Sequence, residues 1–107
     1  INKIAYMAAK DMKASRVLLF EVKGKSDLCD FQLICSAASD RQARAISEAI
    51  ESEARKLDIL PAAVEGRQTG QWILMDYGSL LVHVFQNDIR DYYNLETLWQ
   101  GSPVEIA

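Results

Sequence analysis

The chain has 107 residues, of which 50% are hydrophobic and 25% charged, and its formal net charge is −3. This length suits one domain with one hydrophobic core, and the composition is that of an ordinary globular protein. This composition excludes a low-complexity sequence. No apolar run approaches the roughly 18 residues of a membrane span.

The charge is distributed unevenly along the chain. Residues 1–25 hold six Lys or Arg against two acidic residues, a balance of +4, whereas residues 26–107 hold six against thirteen, a balance of −7. A largely acidic surface suits a basic protein partner better than a nucleic acid. The basic part predicts at most a peripheral RNA contact, through Lys10, Lys13, Arg16, Lys23 and Lys25. A solvated helix face and loop remains the competing interpretation.

The N-terminal part of the chain predicts a helix followed by two strands. Asn2 is a suitable N-cap for the helix, and the runs 17–22 and 30–36 have the β-branched and apolar composition of strands. Cys29 and Cys35 lie in or beside the second run without a Cys-x-x-Cys pattern, so we expect two buried thiols rather than a zinc site.

A second, longer helix is predicted to begin at a capping box. Ser39 is the expected N-cap and Gln42 occupies the third helical position. The apolar stripe of this helix comprises Ala43, Ile46, Ala49, Ile50 and Leu57. Residues 62–65 then predict a short strand before a loop that ends at Gly70.

The stretch 71–86 predicts a β-hairpin, with Gly78-Ser79 as a two-residue type II′ turn. The opposed pairs are Trp72 with Phe85, Leu74 with His83, and Asp76 with Leu81. Successive side chains alternate between faces, so these residues form one surface. The opposite surface is aliphatic apart from Tyr77 and suits a core; it contains Ile73, Met75, Leu80, Val82 and Val84.

The surface that carries Trp72 mixes large apolar side chains with polar ones, which is typical of a partner-binding face. The alternative is that helices cover both faces of the hairpin, with Asp76 and His83 at the rim. After the hairpin, Asn87 or Asp88 caps a predicted final helix that contains Ile89, Tyr92, Leu95 and Trp99.

These elements predict an α/β protein of the α+β type. The order is α-β-β-α-β-β-β-α, with about five strands in one mixed sheet and helices mainly on one face. We expect a single domain over residues 1–107 with an irregular tail at 101–107. Without a signal-peptide pattern, a cytoplasmic location is expected.

Few residues suggest catalysis. Asp76 and His83 share a face as near-diagonal neighbours, and an Asp-oriented His is able to act as a general base, although no local motif supplies a nucleophile. A contact histidine is the favoured interpretation. No cluster of carboxylates suits Mg²⁺, so we predict no catalytic residue, no metal and no cofactor.

The same residues carry a family resemblance that extends from about residue 3 to Trp99. Its strongest motifs are Trp72-x-Leu74-x-Asp76-Tyr77-Gly78, Val82-His83-Val84-Phe85 and Arg90-x-Tyr92-Tyr93-x-Leu95-Glu96-x-Leu98-Trp99. On these motifs the chain resembles the ribosomal silencing factor family, also known as the Iojap family. It departs from the family at Gln32, where an aromatic or bulky apolar residue is usual, and at residues 35–38.

The resemblance implies a nucleotidyltransferase-like fold without catalytic carboxylates. It also implies binding to ribosomal protein fourteen of the large ribosomal subunit, which sterically blocks subunit joining and represses translation, or assists assembly of the large subunit. The expected contact residues are Trp72, Leu74, Asp76, Tyr77, Leu81, His83 and Phe85. A free homodimer that covers part of this surface is expected. The alternative function is a nucleotide-binding or nucleotidyltransferase-like enzyme, suggested by fold analogy alone.

Overall fold

The computed structural model describes residues 1–24, 29–89 and 102–104. Two helices lie entirely within these ranges, α1 (Asn2–Asp11) and α2 (Asp40–Arg55). The six strands are β1 (Ser15–Glu21), β2 (Phe31–Ala37), β3 (Ala63–Glu65), β4 (Trp72–Asp76), β5 (Leu80–Gln86) and β6 (Ser102–Val104). The predicted fold class, an α+β chain with one mixed sheet, is confirmed.

The strands are arranged in the order β3-β4-β5-β2-β1-β6. The two central neighbours, β2 and β5, are parallel, and the other adjacent pairs are antiparallel. The hairpin register is the predicted one, with Trp72 opposite Phe85 in β4 and β5. Gly78 adopts a φ of 82°, the left-handed conformation that the tight turn requires.

The predicted capping box begins α2. The Ser39 hydroxyl accepts a hydrogen bond from the backbone N–H of Gln42 at 3.1 Å. The Gln42 side-chain oxygen in turn accepts from the N–H of Ala38 at 2.7 Å. The prediction that Leu57 belongs to the buried apolar stripe of this helix is wrong, because Leu57 lies beyond the C-cap Lys56 and is 60% exposed.

Both helices pack on the same face of the sheet. Ala5, Ala8 and Ala9 of α1 and Ala43, Ile46 and Ile50 of α2 are buried against it. The strand residues of this core include Leu19, Leu33, Cys35, Ile73, Met75, Leu80, Val82 and Val84. The small alanines of α1 allow its backbone to approach the sheet closely, and the aliphatic hairpin surface is the core face that the sequence predicted.

Two predictions at the ends of the chain need correction. Asn2 is the first residue of α1 rather than its cap; Ile1 holds the N-cap position without a side-chain hydrogen bond. Within the stretch 101–107, predicted to be an irregular tail, the described residues Ser102–Val104 form β6 and pair with β1. A three-residue strand has too little pattern to be recognised before its neighbouring strand is known.

The final predicted helix is only partly described. Residues 87–89 are helical, whereas Tyr92, Leu95 and Trp99 lie outside the described residues. Cys29 and Cys35 are both buried, as predicted, and are not joined in a disulfide. In the part of the chain that the structure describes, no helix has the length and apolar character needed to cross a membrane.

Candidate functional site

The sheet face opposite α1 and α2 is called the outer face here. Ile73 and Val84 pack with the helices, so their neighbours Trp72 and Phe85 point to the outer face by strand alternation. The residues that the register places on this face are Trp72, Leu74 and Asp76 of β4, Leu81, His83 and Phe85 of β5, and Gln32 and Ile34 of β2. All but one of the predicted contact residues therefore share this surface.

Trp72 is the most exposed of the predicted contact residues. The residue is 41% exposed, although tryptophan is usually well covered in a folded protein. The indole ring contacts the Phe85 ring with centroids 4.7 Å apart at a tilt of 45°. The indole N–H donates a hydrogen bond to Nδ1 of His83 at 3.2 Å. Trp72 is thus held in position along one edge while much of its ring faces solvent.

His83 lies beneath Trp72 and is 6% exposed. Its ring is parallel to that of Phe85, with centroids 5.8 Å apart. Its Nε2 lies 3.0 Å from the side-chain oxygen of Gln32. Burial disfavours the charged imidazolium and lowers the pKa of His83 from 6.5 to about 4. The imidazole is therefore neutral at physiological pH.

Phe85, one of the expected contact residues, is fully buried. It belongs to a second apolar cluster on the outer face with Phe20, Ile34 and the partly buried Ile89. Strand alternation places Phe85 on the correct face, but the sequence pattern does not show what packs over it. Phe85 thus supports Trp72 from below.

Leu74 and Leu81 are both partly buried on the outer face. Leu81 packs against the second apolar cluster. These two leucines are able to contribute apolar area on the face that Trp72 occupies.

Asp76 acts in the hairpin turn and is not paired with His83. Its carboxylate accepts a hydrogen bond from the backbone N–H of Gly78 at 2.8 Å. Both ring nitrogens of His83 are engaged by Trp72 and Gln32. The arrangement that the sequence left open, an Asp-oriented general base, is therefore not formed.

Tyr77 is the one predicted contact residue that lies on the helix side of the sheet. It packs partly buried against the main core. Burial raises the pKa of its phenol, and the nearby Glu51 carboxylate adds to that effect. Its contact with a partner stays a prediction.

Gln32 is the outer-face residue whose role sequence reasoning missed. The hairpin alone does not bring it near His83; the parallel pairing of β2 with β5 places Gln32 beside Leu81 and Ile34 beside His83. The available signal was an amide side chain in a largely apolar strand. Parallel neighbours far apart in sequence leave no local pattern from which such a contact can be predicted.

The predicted basic fringe is exposed where the structure describes it. Lys10, Lys13, Arg16 and Lys23 all lie at the surface, and Lys25 falls outside the described residues. Their contact with RNA stays a prediction. In the described ranges, no three His, Cys, Asp or Glu side chains are grouped so that they could hold a metal ion.

Comparison with known proteins gives a consistent result. The family model described as "Ribosomal silencing factor during starvation" matches residues 1–107. The protein named ribosomal silencing factor RsfS of Bacillus subtilis is 40% identical over 104 residues, which cover 97% of this chain and 88% of that protein.

Solved structures agree with the sequence comparison. A crystal structure of a Bacillus halodurans protein is similar, with a TM-score of 0.87 and 39% identity over 98% of this chain and 96% of that one. A crystal structure of a Chromobacterium violaceum protein gives a TM-score of 0.89 and 27% identity over 99% of this chain and 88% of that one.

Proposed function

This chain belongs to the ribosomal silencing factor family, and from that membership we propose that it binds ribosomal protein fourteen of the large ribosomal subunit. Once bound, this chain sterically blocks the joining of the two ribosomal subunits, and thereby represses translation or protects large subunits during assembly. The role is one of binding rather than catalysis and needs no cofactor. The curated relatives are named for silencing, a regulatory role, which supports this proposal.

The half-exposed Trp72 is the observation that carries the proposal. Large aromatic side chains at the centre of an interface account for much of the binding energy in many complexes. Trp72 projects from the sheet, is in contact with Phe85, and has the partly buried Leu74 and Leu81 on the same face. Such a surface is apolar at its centre and polar at its edge, as protein interfaces are.

Charge supports the choice of a basic partner. Residues 26–107, which include the hairpin, carry a net charge of −7. A basic ribosomal protein is attracted to such a chain, and this attraction accelerates association and disfavours acidic competitors. In the free protein, we propose, a homodimer covers part of the outer face and competes with the ribosomal partner.

Substitution of Trp72 by alanine tests the proposed surface. Trp72→Ala is expected to weaken binding to purified ribosomal protein fourteen roughly tenfold or more, which corresponds to about 1.4 kcal/mol. Isothermal titration calorimetry measures the affinity, and circular dichroism checks that the variant is folded.

Leu57→Ala is the matched control for this substitution. Leu57 is 60% exposed, but it lies after α2, on the helix side of the sheet. Its truncation should leave the affinity unchanged. A folded Trp72→Ala variant that binds as tightly as the unmodified chain would falsify the assignment of the outer face.

A further inference from the structure

Two hydrogen bonds connect three side chains across the outer face. Trp72 lies on β4, His83 on β5 and Gln32 on β2, which are adjacent strands. The indole N–H of Trp72 lies 3.2 Å from His83 Nδ1, and His83 Nε2 lies 3.0 Å from the Gln32 amide oxygen. Trp72 is half-exposed, His83 is buried and Gln32 is partly buried.

The chemistry of the three groups fixes the direction of both hydrogen bonds. An indole N–H only donates, so Nδ1 of His83 must accept and carries no proton. An amide oxygen only accepts, so Nε2 must donate and carries the single ring proton. Gln32 and Trp72 therefore both require the same neutral tautomer of His83, and each stabilises the tautomer on which the other depends.

These two hydrogen bonds have two consequences for Trp72. Its indole orientation is fixed before any partner arrives, so less side-chain entropy is lost on binding. Its N–H is already satisfied within the chain, so the exposed part of the ring offers only apolar surface and the partner need not supply an acceptor.

We infer that Gln32 and His83 are positioning residues, which hold the Trp72 indole in one orientation so that it enters an apolar pocket of the partner. The inference rests on the proposed function, because it assumes that Trp72 contacts the ribosomal protein. Neither Gln32 nor His83 needs to touch that partner. His83 acts through Trp72, and Gln32 acts through His83.

The tautomer is measured directly in the unmodified chain. The ring ¹⁵N shifts of His83, the only histidine of the chain, are expected to show a proton on Nε2 and none on Nδ1 at pH 8. A proton on Nδ1 would overturn the inference, because the indole N–H would then have no acceptor on the ring.

Substitution at position 32 tests the positioning role. Gln32→Leu removes the acceptor for Nε2, so we expect a mixture of tautomers, a broadened Trp72 indole N–H signal and roughly threefold to tenfold weaker binding to the ribosomal protein. Gln32→Glu keeps an acceptor at the same place, and at pH 8 it should preserve both the tautomer and the affinity.

Gln68→Leu is the matched control, since Gln68 is exposed in the loop before β4. It should change neither measurement. Unchanged affinity or an unchanged tautomer in folded Gln32→Leu would overturn the positioning role alone if Trp72→Ala still weakens binding. Unchanged affinity in Trp72→Ala would overturn the proposed surface and the positioning role together.

Discussion

At the scale of single residues, the outer face shows how exposure depends on neighbours that a strand pattern does not reveal. Alternation places Trp72, His83 and Phe85 on one surface, and the register confirms it. Only Trp72 among these three is exposed, whereas Phe85 is fully buried. A residue's face follows from the geometry of its own strand, but its burial follows from the elements packed around it.

Because His83 is buried, the free energy of unfolding is expected to decrease at acidic pH. Its pKa falls from 6.5 in a solvated chain to about 4 in the folded protein. Between these values the unfolded chain binds the additional proton, so the free energy of unfolding decreases as pH falls from 6.5 towards 4. The loss is on the order of 3 kcal/mol, because each pKa unit corresponds to about 1.4 kcal/mol.

Urea denaturation at a series of pH values measures this loss. His83→Gln keeps groups that donate and accept hydrogen bonds but does not titrate, so its unfolding free energy should vary less across the same window. Because the chain has one histidine, the difference between the two pH profiles isolates this side chain from the carboxylates. Identical profiles would contradict a buried neutral His83.

At the scale of elements, the start of α2 links local sequence to tertiary contact. Gln42 completes the cap with Ser39, and its side-chain nitrogen donates to the backbone oxygen of Lys13 at 3.2 Å. The cap was predictable because all of its atoms come from neighbouring residues. The contact with the segment after α1 was not, since it depends on how the two helices are arranged.

Removal of the cap should destabilise the protein by a measurable amount. Ser39→Ala deletes the acceptor for the Gln42 N–H and is expected to reduce the free energy of unfolding by about 1 kcal/mol. For a domain of this size the melting temperature should fall by roughly 4–8 °C. Ser52→Ala, at an exposed position within α2, is the control and should be neutral or slightly stabilising. Equal effects of the two substitutions would show that the cap contributes nothing.

At the scale of the whole molecule, the two faces of the sheet have different roles. α1 and α2 cover one face and make the main core. Among the described residues of the outer face, two large apolar ones are exposed, Trp72 at 41% and Leu18 at 39%. Register places Leu18 beside Ile34 of β2, and thus on the same face. Apolar side chains on one broad sheet face favour association with a second protein surface.

Association of the free chain is therefore expected to be concentration-dependent. Light scattering should give a molecular mass that rises towards twice the 12.0 kDa of one chain as concentration increases. Trp72→Asp should shift this transition to higher concentration, whereas Leu57→Asp on the helix side should not. Added ribosomal protein fourteen should replace the homodimer with a complex of the two proteins. A mass that stays at one chain at all concentrations would contradict the homodimer.

The sequence by itself determined the features that depend on neighbouring residues. These are the capping box at Ser39, the hairpin turn at Gly78 and the separation of Trp72 from Ile73 onto opposite faces. Each follows from hydrogen bonds or backbone geometry within a few residues. The family motifs around the hairpin added the expected partner.

Only the tertiary structure decided which of these side chains are exposed and which groups they contact. The parallel pairing of β2 with β5 brings Gln32 to His83, although 51 positions separate them. The same packing buries Phe85 and leaves Trp72 half exposed. Contacts between distant segments depend on the packing of the whole chain, and no local pattern of residues encodes them.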